Sequence, residues 1–177
     1  MAVQYYVAAS LDGFIADADG GIGWLTSFGF DEFREHYTAF LSGVGAIVMG
    51  ATTYEHVLRG GSWPYAETPS WVVTSRHLDA LPGADLRLSA DPIAAVQDAR
   101  DTAGDADVWV IGGGRVAAQI ADLELLDELH LTLIPVVLGA GTPLLPLSRP
   151  TRPLALLRRT PFESGAIELV FSLHAAG

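Results

Sequence analysis

The run Val108-Trp109-Val110-Ile111, followed at once by Gly112-Gly113-Gly114, constrains this chain more than any other stretch. Four consecutive apolar residues read as a buried strand. A helix-like segment, Arg115-Val-Ala-Ala-Gln-Ile-Ala, comes directly after the glycines. A strand that ends in glycine and opens into a helix aims bare N–H groups along the positive end of a helix dipole, a geometry that holds phosphate. A tight turn needs only one glycine, so three point to something that approaches the backbone closely. A plain strand-to-helix turn is the competing reading. The spacing is not the G-x-G-x-x-G fingerprint, and no Walker pattern occurs.

Strands and helices alternate along the rest of the chain. Residues 3–9 read as a first buried strand, and 10–29, rich in Gly and Asp, as a long loop. Phe33, Tyr37, Phe40 and Leu41 fall at helical spacing, which predicts a helix over 31–41 with Asp31 as a possible cap. Short strands follow at 46–49, 71–74 and 85–88, with a helix over 52–58 between the first two. Asp91-Pro92 reads as a cap followed by proline at the first helical position of a helix ending near residue 100. A long strand covers 127–134, and residues 154–174 read as a hairpin turning at 163–165. Such alternation predicts an α/β fold. It has one mostly parallel sheet with helices on both faces, and the hairpin supplies an antiparallel edge.

Residues 1–177 are expected to form one domain, since a chain of this length buries a full core. There are no cysteines, which excludes disulfides and thiolate metal sites, and no metal is expected. The net charge of −11 disfavours nucleic acid and anionic membranes as partners. No apolar run approaches the ~18 residues a membrane span needs. No signal-like segment opens the chain, so a small-molecule ligand and a cytoplasmic setting are expected.

Three turns fall at the carboxyl ends of predicted strands, the edge where open α/β sheets bind ligands. They are Gly50-Ala51-Thr52-Thr53, Thr74-Ser75-Arg76 and Gly112-Gly113-Gly114. Gly50 permits close approach, while Thr52 and Thr53 offer hydroxyl and backbone donors at a helix start. Arg76 is notable in a chain with ten Lys and Arg in all. Each turn alone is ordinary turn chemistry. Together they suit a dinucleotide with a pyrophosphate and an extra ribose phosphate.

The series Met49-Gly50-x-x-Thr53-Tyr-Glu, Thr74-Ser-Arg76, Ile111-Gly-Gly-Gly-Arg-Val116 and His130-Leu-Thr132-Leu-Ile134 resembles the dihydrofolate reductase fold superfamily. Ala9-Ser-Leu-Asp12-Gly13-x-Ile15-Ala16 and Leu138-Gly-Ala-Gly141 are similar to its riboflavin-pathway branch. That branch contains the pyrimidine reductase often fused behind a deaminase. The resemblance runs in order from about residue 3 to 146. It implies a dihydrofolate-reductase-like fold, NADPH as cofactor, and hydride transfer to a small heterocycle. The implied activity is of the type of 5-amino-6-(5-phosphoribosylamino)uracil reductase. By the same analogy Gly50, Thr52, Thr53, Thr74, Ser75, Arg76 and residues Ile111, Gly112, Gly113, Gly114, Arg115 and Val116 contact the cofactor, with a cis bond between the first two glycines. Gln119 lies near the adenine, Ala8 and Ile15 face the nicotinamide, and Thr132 lies under the substrate.

The chain departs from both branches. Where riboflavin-pathway reductases usually carry lysine it has Phe14, and where they carry glutamate it has Ile111. Loss of that cation and acid weakens the case for a ribosyl-phosphate pyrimidine. Dihydrofolate reductases instead need one buried carboxylate on the helix after the first loop, an acid that supports protonation of the ring. Asp31 is the nearest match, as that acid or as a helix cap. Asp12 orders its loop, Asp-Gly being a turn signal, or faces the substrate. Trp24 stacks on a flat ring or packs in the core. His36 and His56 read as solvated helix surface. True dihydrofolate reductase activity, and NADPH binding without catalysis, are the alternatives. The apolar stretch 129–138 with the hairpin offers a homodimer edge, as in related reductases.

Overall fold

The apolar runs become strands because each is covered on both faces, which is why they read as continuous rather than alternating. Residues 1–60, 63–78 and 81–174 are described by a computed structural model of the chain. In chain order the elements are β1 (Val3–Ser10), β2 (Phe14–Ala16), α1 (Gly23–Phe28), α2 (Arg34–Leu41), β3 (Val44–Gly50) and α3 (Ala51–Arg59). There follow β4 (Ser70–Val73), β5 (Leu86–Ser89), α4 (Pro92–Ala103), β6 (Asp107–Gly112) and α5 (Gly114–Asp122). The last are β7 (Glu128–Ile134), β8 (Thr142–Pro143), β9 (Ala155–Pro161) and β10 (Ile167–Ser172).

Eight strands form one sheet in the order β5-β4-β3-β6-β1-β7-β10-β9. The first six are mutually parallel, and β10 runs antiparallel to both β7 and β9. The α/β fold with an antiparallel edge is therefore as expected. On one face Tyr5, Val48 and Val110 pack against Val96 and Ala99 of α4 and Ala117 and Ile120 of α5. On the other, Ile47, Met49 and Trp109 meet Tyr37 and Phe40 of α2 and Tyr54 and Leu58 of α3. Asp91 caps α4, its Oδ1 accepting from the Ile93 N–H at 2.9 Å. Among the described residues no helix is long and apolar enough to cross a membrane.

Asp127 stitches the base of the sheet. Its carboxylate accepts from the Val3 N–H at 2.7 Å and from Arg100 Nη2 at 3.0 Å, and meets His174 Nε2 at 2.6 Å. Burial alone would raise its pKa, but these donors outweigh it and hold the carboxyl below its usual range.

Two local expectations are corrected. The stretch 10–29 is not all loop, for it contains β2 and α1. β2 is three residues long and exists through antiparallel pairing with β8 in the proline-rich segment. α1 has six residues and buries none of them fully, too short and too bare to show a helical period. The helix at Asp31 also starts differently. Residues Asp31–Phe33 form a 3-10 turn with no side-chain cap, and α2 begins at Arg34. Asp31 Oδ1 instead pairs with Arg34 Nη2 at 2.6 Å, and its side chain is 94% exposed.

Candidate active site

The turns after β3 and β6 converge on one edge of the sheet. Gly50 lies against Val116 so closely that a Cβ on it would sit 2.9 Å from Val116 Cγ2. The N-termini of α3 and α5 thereby open onto the same space, and first-turn N–H groups have no partner within their own helix. A cleft of about 990 Å³ begins there and continues across β1 to β7. Ala8, Ile15, Gly50, Thr52, Thr53, Ile111, Gly112, Gly113, Gly114, Arg115, Val116, Gln119 and Thr132 all line it.

The three glycines have three different reasons. Gly112 has φ +137, and its bond to Gly113 is cis. Gly113 precedes the helix in extended conformation, and a methyl on it would meet only Thr53 Oγ1, at 3.6 Å. It faces the cleft and leaves room for a ligand's closest approach. Gly114 is glycine for the chain's own sake, because a Cβ there would overlap the Pro143 carbonyl and come within 2.6 Å of Leu144 O. Part of the glycine excess thus serves packing rather than ligand approach. Open backbone at Gly113, two helix N-termini, the Thr53 hydroxyl and the Arg115 guanidinium form a donor set that fits a dinucleotide's phosphates.

Other predicted site residues stand apart from the lining. Val73 reaches the cleft, but Thr74, Ser75 and Arg76 do not line it. The Arg76 N–H donates to Thr74 Oγ1 at 3.0 Å, and its guanidinium pairs with Glu55 Oε1 at 2.5 Å. Neither Asp12 nor Asp31 lines the cleft. Trp24 packs with Phe33, Ile134 and Ala166, and its buried indole N–H has no hydrogen-bond partner. His36 is not solvated, since its Nε2 meets the fully buried Glu168 at 2.6 Å. His56 lines the cleft.

Asp12 is a loop clamp. It accepts from Ser10 Oγ at 2.6 Å and from the Leu138 and Gly139 N–H groups at 3.1 and 2.7 Å. The Ser10 hydroxyl, then these amides, hold its pKa down at about 2. A carboxyl whose pKa is lower folded than unfolded stabilises the fold above the unfolded value and loses that contribution as pH falls through the folded one. Asp12→Asn should therefore melt below the parent at neutral pH, and the gap should close as pH falls from about 4 toward about 2. A gap unchanged over that range in a pH series of thermal melts would show that the carboxylate charge is irrelevant.

The sequence reading missed an aromatic wall over β1 and β6. Tyr6, Tyr37, Tyr65 and Trp109 line the cleft there, with Phe30 and Phe33. The Tyr37 and Tyr65 hydroxyls lie 3.2 Å apart, and both rings meet Trp109 edge-on at 6.0 and 5.5 Å. Burial, followed by the nearby Glu168 charge, pushes the pKa of the Tyr6 phenol up to about 12. Strand alternation carried a usable signal, since Tyr6 and Ala8 must share a face. Tyr65 lies in a Trp-Pro-Tyr loop where no periodicity marks it.

A mostly parallel sheet with an antiparallel edge, and glycine turns opening into helices at its strand ends, define a dihydrofolate-reductase-like α/β protein. The model of the RibD C-terminal domain matches residues 1–166, and the chain belongs to that reductase-like family. The uncharacterized protein YwjB of Bacillus subtilis (strain 168) is 32% identical over 140 residues, covering 78% of this chain and 79% of its own. The dihydrofolate reductase HdrB of Haloferax volcanii is 33% identical over 114 residues, 64% of this chain and 56% of its own. A Shewanella sp. PV-4 protein described as a riboflavin biosynthesis protein superposes with a TM-score of 0.83 at 25% identity, covering 97% of this chain and 98% of its own. A deaminase/5-amino-6-(5-phosphoribosylamino)uracil reductase of Thermotoga maritima shares the fold at a TM-score of 0.68 and 20% identity, over 96% of this chain and 56% of that one.

Proposed function

We propose that this chain is an NADPH-dependent reductase that transfers hydride to a C=N or C=O carbon of a small heterocycle. The observation that carries this reading is the convergence of two helix N-termini beside open backbone at Gly113, continuous with an aromatic-walled cleft. Bound nicotinamide would supply the hydride. Thr52, Thr53 and the segment Gly112–Val116 would hold the pyrophosphate. Ala8 and Ile15 would flank the nicotinamide, with Ile111 beside it and Gln119 at the adenine. Tyr6 and Thr132 would offer hydroxyls to the substrate, and the aromatic wall would exclude water from it. Neither acid read from the sequence is placed for proton transfer, so Asp12 and Asp31 have no part in this mechanism. Dihydrofolate reduction is a second reading favoured by the likeness to HdrB. Against it, no carboxylate lines the cleft among the described residues.

The Thr74-Ser75-Arg76 turn, at the end of β4 beside the lining residue Val73, is assigned to the 2′-phosphate. A charge-assisted contact there contributes about 1.5–3 kcal/mol. Arg76→Ala should thus weaken NADPH binding by about tenfold or more and leave NADH nearly unchanged, read by calorimetry with each cofactor. Equal loss for both would make Arg76 a structural partner of Glu55 only.

A further inference from the structure

We infer that the aromatic-walled end of the cleft, over β1 and β6, takes a flat, uncharged heteroaromatic ring with a lactam edge and discriminates against phosphorylated or carboxylated forms of that ring. This rests on the reductase reading only for which end the cofactor leaves free.

The argument is one of charge. Among the described residues, the cleft lining contains two side chains that can be cationic, Arg115 at the start of α5 and His56 on α3. Both belong to the helices whose N-termini would hold phosphate. None of Tyr6, Tyr37, Tyr65 and Trp109 is cationic, and the two histidines against Tyr6, His36 and His130, are paired with Glu168 and Glu128. Arg158, behind the wall, is held by Glu168 Oε1 at 3.0 Å, and the other oxygen of that carboxylate meets His36. An anion entering this end would lose water and gain no counter-charge, an unfavourable exchange. The chain's net charge of −11 adds long-range repulsion.

The wall supplies hydrogen bonds of a definite kind instead. When one hydroxyl of the Tyr37–Tyr65 pair donates to the other, the pair keeps one free O–H and free lone pairs. That matches the adjacent C=O and N–H of a lactam. Burial raises the pKa of both phenols, so they remain neutral donors at physiological pH. Edge-on contacts hold the two rings on Trp109, so they are positioned before a ligand arrives.

The test is titration calorimetry with three probes: 6-hydroxymethylpterin, its phosphate monoester, and 6-carboxypterin. Each is titrated into the cofactor-free and the NADP⁺-loaded protein. The uncharged pterin should bind at least tenfold tighter than either anion in both states. Tyr37→Phe and Tyr65→Phe, checked by thermal melting, should weaken it severalfold without changing NADPH affinity. An anion that binds as tightly as the uncharged ring overturns the inference. So does failure of the uncharged ring to bind, or unchanged affinity in both phenylalanine variants. NADPH binding is titrated separately. If it fails while the discrimination among pterins stands, the cofactor reading falls and this inference survives.

Discussion

Gly113→Ala should fold as the parent does and lose NADPH binding by about 100-fold, the upper end of what one misplaced methyl costs in a tight contact. The added Cβ meets nothing in the protein nearer than Thr53 Oγ1 at 3.6 Å, an ordinary contact, and Gly113 has no positive φ to lose. The protein therefore has no reason of its own for glycine at this position. The methyl would project into the cleft where two helix N-termini would meet the pyrophosphate. Calorimetry and thermal melting, run side by side, read the two halves of the expectation. Unchanged affinity would mean that phosphate does not lie on this turn. A large drop in melting temperature would mean that the glycine is structural.

Gly114→Ala should behave in the opposite way. Its Cβ would overlap the Pro143 carbonyl oxygen and crowd Leu144 O, and backbone cannot rotate aside as a side chain can. Overpacking of this kind costs about 3 kcal/mol or more, which for a domain of this size lowers the melting temperature by about 6–12 °C. Urea denaturation gives the free energy directly. A variant as stable as the parent would show that the proline-rich segment does not rest on the glycine turn. Adjacent glycines, the same substitution and opposite consequences make the pair a stricter test than either alone.

The frame of the fold was legible because its signals are local. Buried parallel strands such as 46–49 and 108–111 announce themselves as unbroken apolar runs, and Asp91-Pro92 marks a helix start through its own chemistry. The end of the cleft lined by the glycine and threonine turns was legible for the same reason, as glycine and threonine at strand ends are positional signals. The aromatic end was not. Tyr37 satisfies the helical period of a core residue, and nothing in that period distinguishes a side chain facing a cleft from one facing a sheet. Asp31 shows the converse error, in which a residue type matched a role but its side chain lies on the surface, paired there with Arg34. The buried Glu168, with partners on α2 and β9, needed three-dimensional proximity across 132 residues to be seen. Spacing in one chain carries no record of that.

The segment 138–144 touches both sides of the cleft at once. Asp12 grips its first amides, the Leu144 N–H donates to Gly13 O at 2.9 Å, and the Tyr5 hydroxyl donates to Leu144 O at 3.2 Å. Gly141 fits because it presents no side chain to the Ala16 carbonyl, and Gly114 closes the far side. The N-terminal loop and the glycine turn are consequently two ends of one cooperative unit, and neither exposes its amides to exchange without loosening the segment between them. Free energy gained by a ligand at the turn is then shared with the loop. A dinucleotide seated on the helices would slow the opening of residues it never touches.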